Sequence, residues 1–177
     1  MEIIVTDIEF ENNIKMILSG NKDGLKNIYT EYISFIYRIT YDVVMNKTVA
    51  EDVTSEFFIK LWNIADKYKS GNGHKTWLAK IARNMAIDHL RKNSKEFLSD
   101  ETYEMSYDEY EDSVIDNITL KETLSCLKEK ERQIVNMKIL GELTFKEISK
   151  VLGIPMGTVT WRYQNAINKL KRCMSNE

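Results

Sequence analysis

Residues Thr144 to Leu170 read TFKEISKVLGIPMGTVTWRYQNAINKL, and this stretch decides the predicted fold. Thr144 and Glu147 have the spacing of a capping box, in which each side chain accepts a backbone N–H of the other residue. Gly153 can end this first helix in a left-handed conformation. Pro155 keeps the residue before it out of helical geometry and suits the first turn of a second helix. The stretch therefore predicts a helix-turn-helix.

The second helix of this pattern has two different faces. One face is an apolar stripe that predicts burial: Val159, Tyr163, Ala166, Ile167 and Leu170. The other carries an aromatic ring, donors and acceptors but no carboxylate: Gly157, Thr158, Trp161, Gln164, Asn165 and Asn168. Such a face can read base edges in a DNA major groove. An ordinary helical hairpin with a solvated polar face is the alternative.

Composition and periodicity favour an all-α chain. The 177 residues, 43% hydrophobic and 29% charged, suffice for one or two domains, and segments with a period of 3.6 dominate. No apolar run approaches the roughly 20 residues that span a bilayer. The N-terminus has no basic region typical of a signal peptide, so a cytoplasmic protein without membrane insertion is predicted.

The charges are unevenly spread although the net charge is only −2. Residues 67–95 are basic with Asp88 as the one acid, residues 96–116 are acidic without a base, and the balance is basic again from Lys121. Basic segments attract polyanions. We therefore predict two small helical domains, residues 1–94 and 118–177, joined by an acidic linker of residues 95–117.

Cysteine and histidine give no sign of a metal or cofactor. Cys126 and Cys173 are far apart in the sequence and form no CxxC motif, so free thiols are expected rather than a disulfide. His74 and His89 are isolated from any cysteine, so neither is a convincing ligand or base.

The first domain contains three further helical patterns, near residues 14–19, 25–45 and 49–65. In the third, Thr48 and Glu51 have capping-box spacing. Its buried stripe comprises Val53, Phe57, Leu61 and Ile64. Phe58 and Trp62 extend the apolar surface, either as a thicker core or as part of a partner surface.

A polar loop with several bases precedes a helix from Thr76 to about Lys92. Inward packing is predicted for Trp77, Leu78, Ile81, Ala82 and Met85. One polar stripe comprises Lys80, Asn84, Asp88 and Arg91, with Arg83 and Lys92 beside it. Basic side chains can track the backbone of single-stranded DNA while the loop holds an unstacked base. A solvated charged face is the alternative.

These segments resemble one known family in order and spacing. AEDVTSEFFIKLW at 50–62 resembles region 2.2 of extracytoplasmic-function (ECF) sigma factors, and WLAKIARNMAIDHLRK at 77–92 resembles their regions 2.3 and 2.4. LKEKERQIV at 127–135, FKEISKVLGI at 145–154 and GTVTWR at 157–162 are similar to their region 4.

The resemblance implies an alternative sigma factor, a dissociable subunit of bacterial RNA polymerase that is not itself an enzyme and needs no cofactor. It would bind the β′ and β subunits of core polymerase, open promoter DNA, and commonly be held by a cognate anti-sigma factor. Core polymerase binding would fall on Asp52, Ser55, Glu56 and Lys60. The −10 element would be bound by Lys80, Arg83, Asn84, Asp88 and Arg91. The −35 element would be bound by Thr158, Thr160, Trp161, Arg162 and Asn165.

The second helix of the helix-turn-helix and the proline before it depart from the family pattern. Thr160 and Trp161 replace a basic residue and a serine, Asn165 stands where an arginine is common, and Pro155 replaces a cap. A stand-alone helix-turn-helix regulator is the main alternative, but it leaves the segment at 50–62 and the Lys80 stripe without a role. A nuclease using Asp88 and His89 lacks a second carboxylate, and a pure adaptor would leave both basic modules unexplained.

Overall fold

The computed structural model describes residues 7–71, 73–96 and 126–175, and these form seven α-helices and one 3-10 turn at Ala65–Lys67. The predicted linker and the helix predicted from Ser113 lie almost wholly outside the described residues. In chain order the helices are α1 Asp7–Leu18, α2 Lys22–Val44, α3 Lys47–Ile64, α4 His74–Glu96, α5 Glu129–Ile139, α6 Phe145–Leu152 and α7 Met156–Ser175. The all-α prediction is confirmed.

Helices α1 to α4 form an N-terminal module around a main apolar core, with a smaller buried cluster of Val44, Ala50, Val53 and Ala86 beside it. Each helix contributes the stripe that its period predicts. Fully buried members are Phe10, Ile28, Ile36, Phe57, Leu61 and Leu78. Phe58 is buried too, and Trp62 packs against the core, so the extra apolar width of α3 thickens the core.

The cap predicted for α3 is wrong. The helix begins at Lys47, and the Asn46 side chain accepts a 3.0 Å hydrogen bond from the Val49 N–H. Thr48 therefore lies inside the first turn. Asn46 is the N-cap because Met45, in a left-handed conformation at φ 53°, ends α2 immediately before it. Asparagine is among the best helix N-caps, so one short turn ends one helix and starts the next.

The helix-turn-helix forms as predicted. The Glu147 N–H donates to the Thr144 hydroxyl at 3.2 Å, and the Thr144 N–H donates to the Glu147 carboxylate at 2.7 Å. Gly153 ends α6 at φ 67°. On α7, Val159 and Ala166 are buried, while Tyr163, Ile167 and Leu170 are only half-buried.

Helices α5 to α7 form a C-terminal module that packs directly on α2 and α4. Ile134, Met137 and Ile148 belong to the same apolar cluster as Ile36 and Leu78. Gly141 lies so close to Phe35 of α2 that an added Cβ would come within 2.8 Å of the ring. The described parts of the two modules therefore share one core.

Candidate functional surfaces

The outer face of α3 carries the four residues expected to bind polymerase. Asp52, Ser55, Glu56 and Lys60 are all exposed and recur at helical spacing along one side. Between them lies Ile59, 67% exposed, which the sequence prediction missed. Ile59 lies three residues after Glu56 and therefore on the polar face of the helix. This spacing is the signal in the sequence that could have identified it. Two carboxylates around an exposed branched apolar side chain suit a protein partner.

The polar stripe of α4 is also open to solvent. Lys80, Asn84, Asp88 and Arg91 are exposed, and an Asp88 oxygen lies 3.7 Å from an Arg91 nitrogen. Arg83 differs from these residues because it is half-buried and its buried Nε has no hydrogen-bond partner among the described residues. Burial lowers the pKa of Arg83, and the nearby Glu129 of α5 opposes this effect. Arg83 therefore faces the C-terminal module rather than the open stripe.

Three side chains fix the start of α4. The Tyr32 hydroxyl lies 2.7 Å from His74 Nε2, and the Asp7 carboxylate contacts both the His74 ring and its backbone N–H. The His74 ring also stacks on Phe10, with ring centroids 4.9 Å apart. Interaction with His74 lowers the pKa of Asp7. His74, which looked isolated in the sequence, thus joins α1 and α2 to the helix that carries the polar stripe.

The outer face of α7 borders open depressions on the C-terminal module. Trp161, 65% exposed, and Arg162 line one depression together with the first turn of α5. A second runs along α7 and is lined by Lys128, Glu131, Trp161, Asn165, Asn168, Lys169 and Arg172. Lysine and arginine line these depressions beside the exposed indole, together with the carboxylates of Glu129 and Glu131.

The remaining −35 candidates are less free than Trp161. Thr158 and Thr160 are half-buried, and the Thr160 hydroxyl donates to the Met156 carbonyl at 3.0 Å. Asn165 is half-buried as well. The Lys169 ammonium lies 2.6 and 2.8 Å from the two Glu131 oxygens, which ties α7 to α5. This contact lowers the pKa of Glu131 against the opposing effect of its burial.

A buried polar network joins the two modules. The Asn136 side-chain nitrogen lies 2.9 Å from both Asp42 oxygens, and Arg132 Nε lies 3.5 Å from one of them. We call these three residues the Asp42 network. Burial raises the pKa of Asp42 to about 6, while Asn136 and Arg132 counteract it. At the rim, Lys75 pairs with Glu142 at 3.0 Å.

The candidate residues thus occupy three separate helical faces, on α3, α4 and α7. No group of three or more His, Cys, Asp or Glu residues within residues 7–71, 73–96 and 126–175 could hold a metal ion. Over the same part of the chain, no helix is long and apolar enough to cross a bilayer. The arrangement is one of binding surfaces on a helical scaffold.

Comparison with known proteins defines the class first. The family model for Sigma-70 region 2 matches residues 28–96, and the family model for Sigma-70 region 4 matches residues 123–172. The two matched segments contain the α3, α4 and α7 faces. They define a sigma factor, a non-enzymatic regulator of transcription.

Relatives and solved structures narrow the class. The ECF RNA polymerase sigma factor SigM of Bacillus subtilis is 30% identical over 73% of this chain and 82% of its own length. SigW of the same organism is 27% identical over 94% of this chain and 97% of its own length. The fold is similar to that of the sigma factor RpoE from Bartonella quintana, solved in complex with the anti-sigma factor NepR. The TM-score is 0.69 at 20% identity, over 87% of this chain and 98% of that one.

The fold is also similar to that of CnrH, solved in complex with the cytosolic domain of CnrY. The TM-score is 0.64 at 19% identity, over 93% of this chain and 96% of that one. The chain belongs to the family of ECF RNA polymerase sigma factors. It is an alternative sigma factor that acts with core RNA polymerase and promoter DNA in promoter recognition and transcription initiation.

Proposed function

We propose that the outer face of α3 docks onto the coiled coil of the polymerase β′ subunit. Asp52, Ser55, Glu56 and Lys60 supply polar contacts, and Ile59 supplies an apolar contact between them. The exposure of all five side chains supports this assignment. Burying a branched aliphatic side chain contributes about 1.5–3 kcal/mol, so Ile59 is the strongest single anchor on this face.

The α4 stripe binds the −10 element in this proposal. Lys80, Asn84 and Asp88 read bases, and Arg91 contributes to backbone contact once it leaves Asp88. Support comes from the open stripe and from the Asp7–His74–Tyr32 contacts, which fix the start of the helix. Arg83 binds the same element only when the C-terminal module no longer covers it.

The α7 face binds the −35 element. Arg162 contacts a phosphate or a base, and Trp161 lies against an apolar base edge such as a thymine methyl. Thr158 and Asn165 add polar contacts at the edge of this face. Thr160 offers its methyl group and a hydroxyl oxygen that can only accept, because the hydroxyl hydrogen is donated inside the helix.

The rest of the chain follows from the same assignment. Residues 1–94 are the region 2 domain, residues 118–177 are the region 4 domain, and the acidic linker of residues 95–117 threads toward the RNA exit channel. The protein works in the cytoplasm without catalytic activity of its own. A cognate anti-sigma factor holds it in the resting cell, in keeping with the complexes solved for proteins of similar fold.

The carrying observation is that the α4 stripe is exposed on one helix and that Trp161 is exposed on another, α7. One correct bidentate base contact is worth about 1–3 kcal/mol, so neither face alone gives strong promoter selection. Holding both faces on polymerase makes the second contact intramolecular. The free protein is therefore expected to bind promoter DNA poorly.

Run-off transcription with core polymerase on the DNA upstream of the protein's own gene tests the assignment. We expect Asn84→Ala and Arg162→Ala each to lower the yield about tenfold. The exposed α1 variants Asn12→Ala and Lys15→Ala are matched controls and should behave as wild type. Wild-type yield from both reading-face variants would reject the assignment. Tight promoter binding without polymerase would instead favour a stand-alone regulator.

A further inference from the structure

The first helix of the chain holds both ends of the loop that precedes α4. Phe10 of α1 is fully buried, and aromatic rings from the rest of the module lie around it. The Tyr68 ring, where the loop begins, and the His74 ring, where it ends, have centroids 5.1 and 4.9 Å from that of Phe10. Tyr32 and Trp77 complete the cluster at 5.9 and 6.4 Å. One side chain of α1 therefore packs against both residues that bracket the loop.

A polar contact adds to this packing at the end of the loop. The His74 backbone N–H, at the start of α4, donates to the Asp7 carboxylate at 3.3 Å, and the same carboxylate contacts the His74 ring. The first N–H groups of a helix have no partner within the helix, so Asp7 acts as an N-cap supplied by another helix. On the other side of the ring, Nε2 lies 2.7 Å from the Tyr32 hydroxyl. His74 is thereby fixed by one residue of α1 and one of α2.

The contacts of Asp7 and Phe10 lie wholly within the N-terminal module. The C-terminal module also approaches the end of the loop, where an added Cβ on Gly73 would lie 3.2 Å from a Glu147 carboxylate oxygen. That approach depends on how the two modules pack, whereas the contacts made by α1 do not. Helix α1 also precedes residues 28–96, the segment that matches region 2, so its role has to be inferred from these contacts.

We propose that Asp7 and Phe10 are positioning residues for the −10 element, because they order the loop and the start of α4 before DNA binds. This inference rests on the proposed assignment of the −10 element to the α4 stripe. The loop can hold an unstacked base only at the entropy cost of its own ordering, unless α1 has fixed its ends beforehand. Lys80 and Asn84 lie within about three turns of His74, so a displaced helix start also moves the stripe relative to the DNA.

Promoter opening by the holoenzyme tests the proposal. The probe is 2-aminopurine in the −10 element of the DNA upstream of the protein's own gene, because its fluorescence rises when the base unstacks. Asp7 is exposed, so Asp7→Ala removes its contacts without leaving a cavity. We expect this variant to lower the rate or the amplitude of opening at least about threefold. Its affinity for core polymerase should stay within about twofold of that of wild type.

A matched variant separates positioning from a general loss of stability. Ile17→Val shortens a buried side chain at the far end of α1, beside Gly24 of α2, and should lower the urea midpoint about as much as Asp7→Ala does. Its promoter opening should equal that of wild type, because it leaves the His74 contacts intact. Equal losses of opening from both variants would overturn the proposal.

Two further variants distinguish the proposal from the assignment on which it rests. Asn84→Ala, measured in parallel, should also lower opening, and an unchanged result would overturn the −10 assignment and the positioning role together. Wild-type opening from Asp7→Ala alone would overturn only the positioning role. Tyr32→Phe removes the hydroxyl that contacts His74, and combined with Asp7→Ala it should cost less than the sum of the two, since both free the same imidazole. Strictly additive losses would overturn the action through His74.

Discussion

Replacing Arg132 with methionine should weaken the contact between the two modules in a pH-dependent way. The substitution keeps an unbranched apolar side chain but removes the only cation within ion-pair distance of Asp42 in the described residues. Asp42 is 4% exposed, so the variant leaves a buried carboxylate with Asn136 as its hydrogen-bond partner and with the more distant charge of Arg38 to oppose the burial. Arg132→Met therefore tests whether the Asp42 network holds the modules together.

The expected cost follows from the burial of the pair. Removing one partner of a buried ion pair costs about 3–5 kcal/mol, because the other charge stays desolvated. If α2 separated from α5, water would reach Asp42 and relieve this cost. The cost of Arg132→Met therefore cannot exceed the free energy that holds the two modules together. At pH 5, below the Asp42 pKa of about 6, the carboxyl is mostly protonated. The cost of Arg132→Met should then fall below about 1 kcal/mol.

Urea unfolding and small-angle X-ray scattering at pH 7.5 and pH 5 measure the effect. We expect the variant at pH 7.5 to lose stability, to increase its radius of gyration, or both, and to resemble wild type at pH 5. Lys130→Met, an exposed change on the same helix, is the matched control. Adding Asp42→Asn should recover most of the loss, since no charge then stays buried. An equal cost at both pH values, or a cost below about 0.5 kcal/mol at pH 7.5, would refute the reasoning.

Three further predictions concern single side chains. Ile59→Asp should weaken binding to core polymerase at least about tenfold in a fluorescence titration, while Ile8→Asp, at an equally exposed isoleucine of α1, should not. Equal losses from both would reject the α3 assignment. Asp42→Asn should flatten the pH dependence of stability: because the pKa of Asp42 is raised in the fold, the contribution of Asp42 is fully present below about pH 4, and about 3 kcal/mol is lost as the pH rises through 6. Parallel wild-type and variant curves from pH 4 to 7 would contradict this. Asp7→Asn should cost about 1 kcal/mol by loosening the start of α4, which would appear as faster amide exchange near His74. Unchanged exchange there would count against the role given to the Asp7–His74 contact.

The helix-turn-helix could be predicted from the sequence because its signals are local. A capping box, a glycine at the helix end and a proline before the next helix act within a few residues of one another. The error at α3 has the same origin. Thr48 and Glu51 have the right spacing, but Asn46 is a stronger cap, and only the turn at Met45 shows where α2 ends.

Contacts between distant segments could not be read from the sequence. Asp42 and Asn136 meet only because the modules share a core, and helix periodicity shows that a face is buried but not what covers it. The same limit hid the contact of Asp7 with His74. The exposure of Ile59 could have been predicted from the sequence, because an isoleucine on the polar face of a helix does not pack into the module's core.

Arg83 connects the packing of the modules to the proposed −10 assignment. In the described arrangement it faces Glu129 and is half-buried, whereas Lys80, Asn84 and Asp88 are open on the same helix. A guanidinium has five N–H donors, each of which needs an acceptor when it is buried. The Nε of Arg83 has no hydrogen-bond partner within the described residues. A phosphate oxygen would satisfy this donor through a charge-assisted hydrogen bond, which is roughly twice as strong as a neutral one. In the proposed assignment the open stripe meets DNA with the modules packed together, whereas Arg83 joins it only after they separate. Such a separation would break the Asp42 network, which lies at the contact between α2 and α5.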